Sequence, residues 1–262
     1  MINDFLKKRF LRYLNIKKTL KEMDELNERL LKEKEIRQEF FANASHELKT
    51  PITSIRGYAE LLESDMIKDE DTKRDMISRI KKEADHMNML IADILEVSKL
   101  ESNDIRPEVM RVDVNLLIED TMETFRPRAD EAQVTLYNYS KPGTFVYADY
   151  GHMDEIISNL VSNAIRYNRK NGKVWIYASN EGGFMELRVR DTGIGIPKNE
   201  CSRIFERFYR VDKGRSRVTG GTGLGLSIVK HILSYYKGTI EVNSKTGSGS
   251  EFIVRIPEHY ER

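Results

Sequence analysis

Apolar residues recur at seven-residue steps in two separate stretches of the chain. The first stretch carries two interleaved series: Phe41, Leu48, Ile55 and Leu62, and Ser45, Ile52 and Ala59. The second stretch repeats the arrangement with Ile77, Ala84 and Ile91, interleaved with Ile80, Met87 and Ile94. Such a narrow apolar seam is typical of helices that pack lengthwise. The polar segment ESDMIKDED, 63–71, lies between them and predicts a short turn, hence an antiparallel helical hairpin.

One hairpin cannot enclose the seams of both its helices. Two copies that pack into a four-helix bundle would bury them, so the pattern predicts a homodimer. Residues 1–36 precede the hairpin and are rich in Lys, Arg, Glu and Leu, without Gly or Pro. This composition predicts a solvated helix that leads into a coiled coil. This segment contains a basic cluster, Lys7, Lys8, Arg9 and Arg12. Such a cluster is typical of an ordinary exposed helix face, and the alternative is contact with an acidic membrane surface.

After ESNDIRPE, 101–108, the pattern changes from helical steps to alternation. Strands are predicted at 134–139, 173–179, 184–190, 238–244 and 251–257, and helices at 114–132, 152–168 and 224–236. The strands come in pairs near the end of the chain, which favours a mixed α+β sandwich over a doubly wound sheet. The predicted fold class is therefore α plus α+β. The predicted domains are a helical linker at 1–36, a dimerising hairpin at 37–103 and a sandwich domain at 110–262.

Composition excludes several classes of protein. The chain has 262 residues with 43 basic and 42 acidic side chains, and this near balance argues against a nucleic-acid partner. The single cysteine, Cys201, excludes a disulfide framework and fits a reducing compartment. No apolar run reaches the roughly 18 residues of a membrane span. We therefore expect a cytoplasmic chain, which could still be the cytoplasmic part of a membrane sensor with an upstream sensor segment.

The stretch FFANASHELKTPI, 40–52, places polar chemistry on the first seam helix. His46 is expected to point outward, with Lys49 and Thr50 on its face, and an exposed imidazole is a usable nucleophile. Glu47 beside it could orient the ring or accept a proton. Pro51 removes the partner of the Glu47 carbonyl group, so a kink is expected there. The zinc-protease signature H-E-x-x-H fails because position 50 is threonine.

Three further stretches suggest a nucleotide. In DEIISNLVSNAIRYN, 154–168, Asn159 and Asn163 lie one helical turn apart. Their amide oxygens would suit Mg²⁺, but buried asparagines satisfied by neighbouring backbone are an equal alternative. In DTGIGIP, 191–197, Asp191 follows a strand and precedes two glycines, so it could accept a hydrogen bond from an adenine amino group.

The third stretch, GGTGLGLSIVK, 220–230, is a glycine-rich loop that runs into a helix. Free N–H groups at a helix start bind phosphate. The loop lacks the G-K-[ST] ending of a P-loop and the G-x-G-x-x-G spacing of a dinucleotide fingerprint. It therefore predicts phosphate binding of another kind.

Taken in order, these stretches resemble the conserved boxes of a sensor histidine kinase of bacterial two-component signalling. SHELKTP resembles the phosphoacceptor box, NLVSNAIRYN the N box, DTGIGIP the G1 box, IFERFYRVD the F box and GGTGLGLSIVK the G2 box. The resemblance covers about residues 37–257, with all five boxes in the family's order. It implies that the C-terminal sandwich is an ATP-binding domain of the Bergerat type.

The resemblance implies a role for each matching residue. His46 would accept the γ-phosphoryl group, Glu47 would act as its base, and Thr50 would position water for dephosphorylation of the partner. Asn163 would ligate Mg²⁺ with support from Asn159. The other implied nucleotide contacts are Arg166, Tyr167, Asp191, Gly193, Gly195, Phe208, Gly221, Thr222, Gly223, Leu224 and Gly225.

Two details qualify this transfer of roles. Phe205 and Phe208 would anchor a lid over ATP at about residues 205–222, which contains Lys213, Gly214, Arg215, Ser216 and Arg217. Arg166 stands where the family often has lysine; a guanidinium keeps the charge but changes the geometry.

The implied function is autophosphorylation of His46 by Mg-ATP, then phosphoryl transfer to an aspartate of a response regulator. That regulator would dock near Thr53, Arg56 and Gly57, and phosphatase activity towards it is expected. The rivals are the clamp ATPases that share the nucleotide fold (chaperones, type II topoisomerases and mismatch-repair proteins) and a scaffold whose bundle only dimerises. The clamp ATPases lack a hairpin with an exposed His-Glu pair, and ATP affinity would count against a scaffold.

Overall fold

The computed structural model describes residues 2–64, 67–101, 107–211 and 221–259. The chain divides into two compact units, residues 1–76 and 77–262. Helix α1 spans Ile2–Glu63 and helix α2 spans Glu70–Glu101. Helix α1 runs without interruption through residue 36 and through Pro51. Among the described residues, no helix is both long and apolar enough to cross a bilayer.

The burial pattern along α1 differs from the predicted seam. Within residues 34–63 of this helix, the buried residues are Phe40, Ala44 and Pro51, whereas Phe41 and Ile52 are about half exposed, at 56% and 51%. Ser45 is also exposed, where its hydroxyl donates to the carbonyl oxygen of Phe41 at 2.8 Å. The single chain therefore leaves Phe41, Ser45 and Ile52 uncovered, and their packing in a four-helix bundle of two copies stays a prediction. A heptad count sets the spacing of a stripe but not which neighbouring stripe the chain itself covers.

The sandwich domain follows α2. Its helices are α3, Val114–Glu131; α4, Tyr150–Arg166; and α5, Gly225–Tyr235. Its strands are β1, Val109–Asp113; β2, Val134–Asn138; β3, Phe145–Asp149; β4, Gly172–Glu181; β5, Phe184–Asp191; β6, Thr239–Lys245; and β7, Gly249–Pro257. A 3-10 turn spans Arg203–Phe205.

The main sheet has five strands in the order β2-β4-β5-β7-β6. The β2/β4 pair is parallel and the other pairs are antiparallel. Helices α3, α4 and α5 contact the sheet, so one face of it is covered by helices. The core lies in that layer because strand β5 turns Met185, Leu187 and Val189 inward at alternate positions. The predicted mixed α+β sandwich is confirmed.

Strands β1 and β3 were missed by the sequence analysis. They pair antiparallel as a separate two-stranded sheet, in which Val112 faces Val146. Each strand has five residues. Each strand also runs directly into a helix whose first residues it caps: Asp113 accepts from two N–H groups of α3, and Asp149 accepts from the His152 N–H of α4.

Candidate nucleotide site and phosphoacceptor histidine

Strand alternation carries Asp191 into the core. It is the last residue of β5 and continues the inward series of that strand, so only 7% of it is exposed. Its Oδ1 accepts hydrogen bonds from the backbone N–H of Gly193 at 2.7 Å and of Ser250 at 3.3 Å. Its Oδ2 accepts no hydrogen bond from any residue that the structure describes. An inward carboxylate oxygen without a partner suits an external donor, such as an exocyclic amino group.

Burial dominates the electrostatics of this carboxyl group. It raises the pKa of Asp191 to about 6, and the two backbone hydrogen bonds only partly offset it. Removal of the charged form from water is costly, and the two N–H donors are neutral dipoles rather than cations. Asp191 therefore holds a negative charge at neutral pH at the expense of folding free energy, a pattern common at functional sites.

The glycines after Asp191 permit close backbone packing. A Cβ on residue 193 would lie 2.2 Å from the carbonyl oxygen of Tyr167. That carbonyl oxygen accepts the N–H of Ile194 at 3.1 Å, which joins the G1 loop to the end of α4. Gly195 has a φ of +68°, and a Cβ there would lie 2.1 Å from the Lys245 carbonyl oxygen. The loop can follow this path only because both positions lack a side chain.

Sequence reasoning missed the residues that support Asp191 from the other side. Gly249 begins β7 with a φ of +90°, and a Cβ there would lie 2.0 Å from the carbonyl oxygen of Asp191. This close approach lets the next residue, Ser250, reach the carboxylate. The available signal was the glycine pair in TGSGSEF, 246–252, where Gly247 and Gly249 bracket the turn before the last strand.

A second missed support lies beside Tyr167. The side chain of Asn168 donates to the carbonyl oxygens of Ala164 and Lys173, and its Oδ1 accepts from the hydroxyl of Thr192 at 3.1 Å. This bracket ties the end of α4 to the start of β4 and to the residue after Asp191. Asn168 is therefore a structural element of the site, a role that its side-chain type alone does not indicate.

The two asparagines of α4 have different surroundings. Asn159 donates through Nδ2 to the side chain of Glu155 at 2.7 Å and to its carbonyl oxygen at 2.9 Å. Asn163 is half buried, and its side chain makes no hydrogen bond with any described residue. The alternative of two asparagines satisfied by neighbouring backbone therefore applies to Asn159 and not to Asn163. The amide oxygen of Asn163, one helical turn after the hydrogen-bonded Asn159, could therefore ligate a hard cation that keeps water molecules as its other ligands.

The glycine-rich loop meets α4 at three points. Gly221 lies against Arg166 and Tyr167: a Cβ on residue 221 would be 3.0 Å from the Arg166 guanidinium and 3.2 Å from the Tyr167 hydroxyl. Gly225 begins α5 against Asn159, whose Oδ1 would be 2.1 Å from a Cβ at that position. The structure therefore brings the N box and the G2 box together.

The same loop is joined to the F box. Gly223 has a φ of +76°, and its carbonyl oxygen accepts the N–H of Phe208 at 2.9 Å. Phe208 itself has a φ of +59°, while Phe205 lies half buried in the 3-10 turn. Most of the predicted lid, residues 212–220, lies outside the described residues. Its predicted basic residues, from Lys213 to Arg217, fall in that range.

The loop ends at a helix N-terminus. Leu224 is fully buried and precedes α5, and its N–H reaches the hydroxyl oxygen of Thr222 at 3.3 Å. No side chain of a described residue caps α5. Uncapped N–H groups at the start of a helix favour a phosphate, so the geometry suits the predicted anion site. Among the described residues, no group of three or more His, Cys, Asp or Glu side chains could hold a metal ion by itself.

His46 is exposed on α1, as expected. Its imidazole makes no hydrogen bond with any described residue, and Glu47 beside it is half buried. Thr50 donates its hydroxyl to the His46 carbonyl oxygen at 3.3 Å, and Thr53 donates to that of Lys49 at 2.9 Å. Neither bond reaches the Glu47 carbonyl oxygen, which is the group that Pro51 leaves without its helical donor. An accessible ring with a neighbouring carboxylate can act as a nucleophile.

Two family models match the chain. The histidine kinase-, DNA gyrase B- and HSP90-like ATPase model matches residues 148–260, and the His Kinase A (phospho-acceptor) domain model matches residues 36–103. Both matches contain the expected sites: His46 lies in the second range, and Asp191 and the glycine-rich loop lie in the first.

Named relatives agree with these models. The chain is 40% identical over 223 residues to the sensor-like histidine kinase SenX3 of Mycolicibacterium smegmatis, covering 85% of this chain and 58% of the relative. It is 37% identical over 225 residues to the sensor protein kinase WalK of Staphylococcus aureus, covering 84% and 54%. The chain thus spans little more than half the length of these relatives. Among solved structures, full-length ShkA in complex with AMPPNP matches with a TM-score of 0.62 and 29% identity, covering 84% of this chain and 46% of that one.

Proposed function

The chain belongs to the sensor histidine kinases, of which it carries the catalytic portion, and on that premise we propose that it phosphorylates itself on His46 with ATP. The observation that carries this proposal is the exposed His46, with Glu47 beside it, within the segment that matches the phospho-acceptor domain. A clamp ATPase would need a nucleotide site but would have no use for an accessible histidine with a neighbouring glutamate.

The nucleotide end of the proposal rests on the fit of the residues to ATP. Asp191 would accept the adenine amino group through its open Oδ2, with Tyr167 against the base. Arg166 and the N–H groups at the start of α5 would face the phosphates, and Asn163 would ligate Mg²⁺ with Asn159 in support. The solved complex of ShkA with AMPPNP is a relative's precedent for an ATP analogue in this fold. Bound Mg²⁺ would supply neutralisation of phosphate charge.

At the phosphoacceptor end, a ring nitrogen of His46 would attack the γ-phosphorus atom. The N–P bond forms as the bond from phosphorus to the β,γ-bridging oxygen breaks, ADP leaves, and Glu47 takes the proton from the other ring nitrogen. The resulting phosphoramidate is a good donor to an aspartate of a response regulator. Thr50 would position water for the separate phosphatase reaction, in which the aspartyl phosphate of the regulator is hydrolysed and inorganic phosphate leaves.

We further propose that the protein works as a homodimer. Large apolar side chains remain exposed on both helices of the hairpin: Phe41 and Ile52 on α1, and Ile77, Ile91 and Leu95 on α2. A second copy would cover them as a four-helix bundle. The domain limits at 37–103 and 110–262, and a sensor or membrane segment outside this chain, stay predictions.

The direct test is incubation with γ-labelled ATP and Mg²⁺, comparing the wild type with His46→Ala. We expect acid-labile, alkali-stable label in the wild type and none in the variant, because a phosphoramidate has that stability profile whereas phosphate esters and acyl phosphates do not. His259→Ala is the control, since His259 is also exposed but lies outside both proposed sites. Label that persists in His46→Ala, or ATP turnover without any label, would contradict the proposal and favour a clamp ATPase.

A further inference from the structure

One carboxylate of α2 lies against the glycine-rich loop. The hydroxyl of Thr222 donates a hydrogen bond to Oδ2 of Asp93 at 2.5 Å. Thr222 is buried and Asp93 is half buried, so this bond is shielded from water. Charge-assisted bonds of this kind are the strong ones among side-chain hydrogen bonds. Neither the sequence pattern nor the proposed reaction gives Asp93 a role.

The charges around Asp93 resemble those that a phosphate would meet. Burial raises the pKa of the Asp93 carboxyl group, while the Thr222 hydrogen bond and the positive charge of Arg166 lower it. Arg166 is also the cation that borders Gly221 in the loop. The carboxylate is thus placed within the influence of the guanidinium that the proposed function assigns to the phosphates of ATP. It is also bonded to the hydroxyl of Thr222, a residue that the family resemblance implies as a nucleotide contact.

A second hydrogen bond joins the same face of α2 to α5, two helical turns after Asp93. Nε2–H of His231, on α5, donates to the carbonyl oxygen of Leu100 at 3.0 Å. Leu100 lies in the last turn of α2, where carbonyl groups have no partner within the helix. Residues 93 and 100 lie seven positions apart and share one helical face, with buried Val97 between them. The contact is therefore a docked surface with two anchor points.

We propose that this face of α2 is an internal competitor of ATP, in which Asp93 takes the place of a phosphate at the glycine-rich loop. The proposal rests on the proposed function, because it needs the loop to bind the phosphates of ATP.

The chemistry makes the two states exclusive. A threonine hydroxyl has one proton, so Thr222 cannot donate to Asp93 and to a phosphate oxygen at the same time. A carboxylate beside the loop also repels a polyphosphate, and in a partly buried site water screens that repulsion poorly. Nucleotide binding therefore requires α2 to leave the loop. The apparent association constant for nucleotide is then the intrinsic constant multiplied by the fraction of molecules in which α2 is undocked.

This competition would couple the helical hairpin to the ATP-binding domain. Any signal that moves α2 away from α5 would raise the affinity for ATP, and bound ATP would hold α2 away in turn, since such coupling is reciprocal. Signal and nucleotide would then act on one equilibrium.

The test is the affinity of the full chain for Mg-AMPPNP, measured by titration calorimetry. Asp93→Ala should bind about tenfold more tightly than the wild type, the size expected for loss of one charge-assisted competing hydrogen bond. If the alanine variant folds poorly, Asp93→Asn gives a second reading: its amide oxygen can still accept from Thr222 but the charge is gone, so a smaller gain in affinity is expected. Asp85→Ala is the matched control: the same residue type on the same helix, but exposed.

His231→Ala separates docking from local charge. His231 lies outside the proposed nucleotide contacts. Its replacement should therefore raise the affinity for Mg-AMPPNP only if undocking of α2 is what controls that affinity. Tighter binding in both Asp93→Ala and His231→Ala, with Asp85→Ala within twofold of the wild type, is the expected result. An unchanged or weaker affinity in the Asp93 variants, or a gain in Asp93→Ala that His231→Ala does not share, overturns the competition. Absence of binding in every variant overturns the proposed function along with it.

Discussion

The two ends of the candidate nucleotide site are built differently. At the adenine end, Asp191 is held by backbone N–H groups of its own sheet and by contacts that only glycine allows. At the phosphate end, the hydroxyl of Thr222 is bonded to Asp93, a side chain of another helix. The proposed adenine end is therefore formed before a ligand arrives, while the proposed competition would make the phosphate end depend on where α2 lies. A site divided in this way can keep its specificity constant and still have its occupancy controlled.

Gly193→Ala should break the adenine end and have the largest effect. The added methyl group would lie 2.2 Å from a backbone oxygen, so the G1 loop or the end of α4 must move. We expect loss of AMPPNP binding by more than about 100-fold and a fall of about 1–3 kcal/mol in the free energy of unfolding. Titration calorimetry and thermal unfolding would measure these.

Gly57→Ala is the control for that substitution. A Cβ at residue 57 of α1 would meet nothing within 4 Å. Alanine in a helix interior should stabilise α1 by up to about 1 kcal/mol and leave nucleotide affinity unchanged. Normal binding by Gly193→Ala would mean that the close approach to Tyr167 is not needed for the site.

Asn163→Ala should separate function from stability at the phosphate end. Asn163 makes no hydrogen bond with described residues, so its loss should change the free energy of unfolding by no more than about 0.5 kcal/mol. The autophosphorylation rate should nevertheless fall by about 100-fold, and the Mg²⁺ concentration for half-maximal rate should rise. Asn159→Ala provides the contrast, because it removes the donor to Glu155 and should also lower stability. Equal losses of stability in both variants would contradict the assignment of separate roles.

Asp191→Asn should raise stability and lower affinity. Asparagine can still accept both backbone N–H bonds through Oδ1 without a buried charge, but its NH₂ group would face the adenine amino group. The affinity for AMPPNP should fall by about tenfold or more. Because the folded pKa of about 6 lies above the ordinary value of 3.8, the contribution of Asp191 to the free energy of unfolding should decrease as the pH rises from about 4 to 6.

The pH dependence gives this prediction its measurement. Above pH 6 the full cost of the buried charge is present, roughly 3 kcal/mol for a shift of this size. Urea unfolding at pH 4, 5, 6 and 7 should show a smaller decrease in stability over that interval for the asparagine variant than for the wild type. Parallel curves for the two proteins would show that Asp191 does not carry a raised pKa.

Much of this molecule could be predicted from local patterns. Alternation placed β2, β4, β5, β6 and β7, and helical periodicity placed α3, α4 and α5, each close to its observed limits. Candidate site residues were also proposed from type and order: Asp191 ends a strand and the glycine-rich loop precedes a helix, while Asn163 lies one helical turn after Asn159 within α4. Periodicity and boundary residues are properties of consecutive positions, so they can be read without the fold.

The remaining features depend on residues that are far apart in the chain. Gly249 supports Asp191 from 58 positions away, and Asp93 reaches Thr222 across 129 positions. The single-chain burial of Phe40 and Ala44, instead of Phe41 and Ser45, likewise depended on tertiary packing. The sequence by itself determined the elements and the chemical groups. Only the tertiary structure decided which groups share an environment. The pKa of a buried carboxyl group and the hydrogen bond of a threonine hydroxyl depend on neighbours that chain folding brings within a few ångströms.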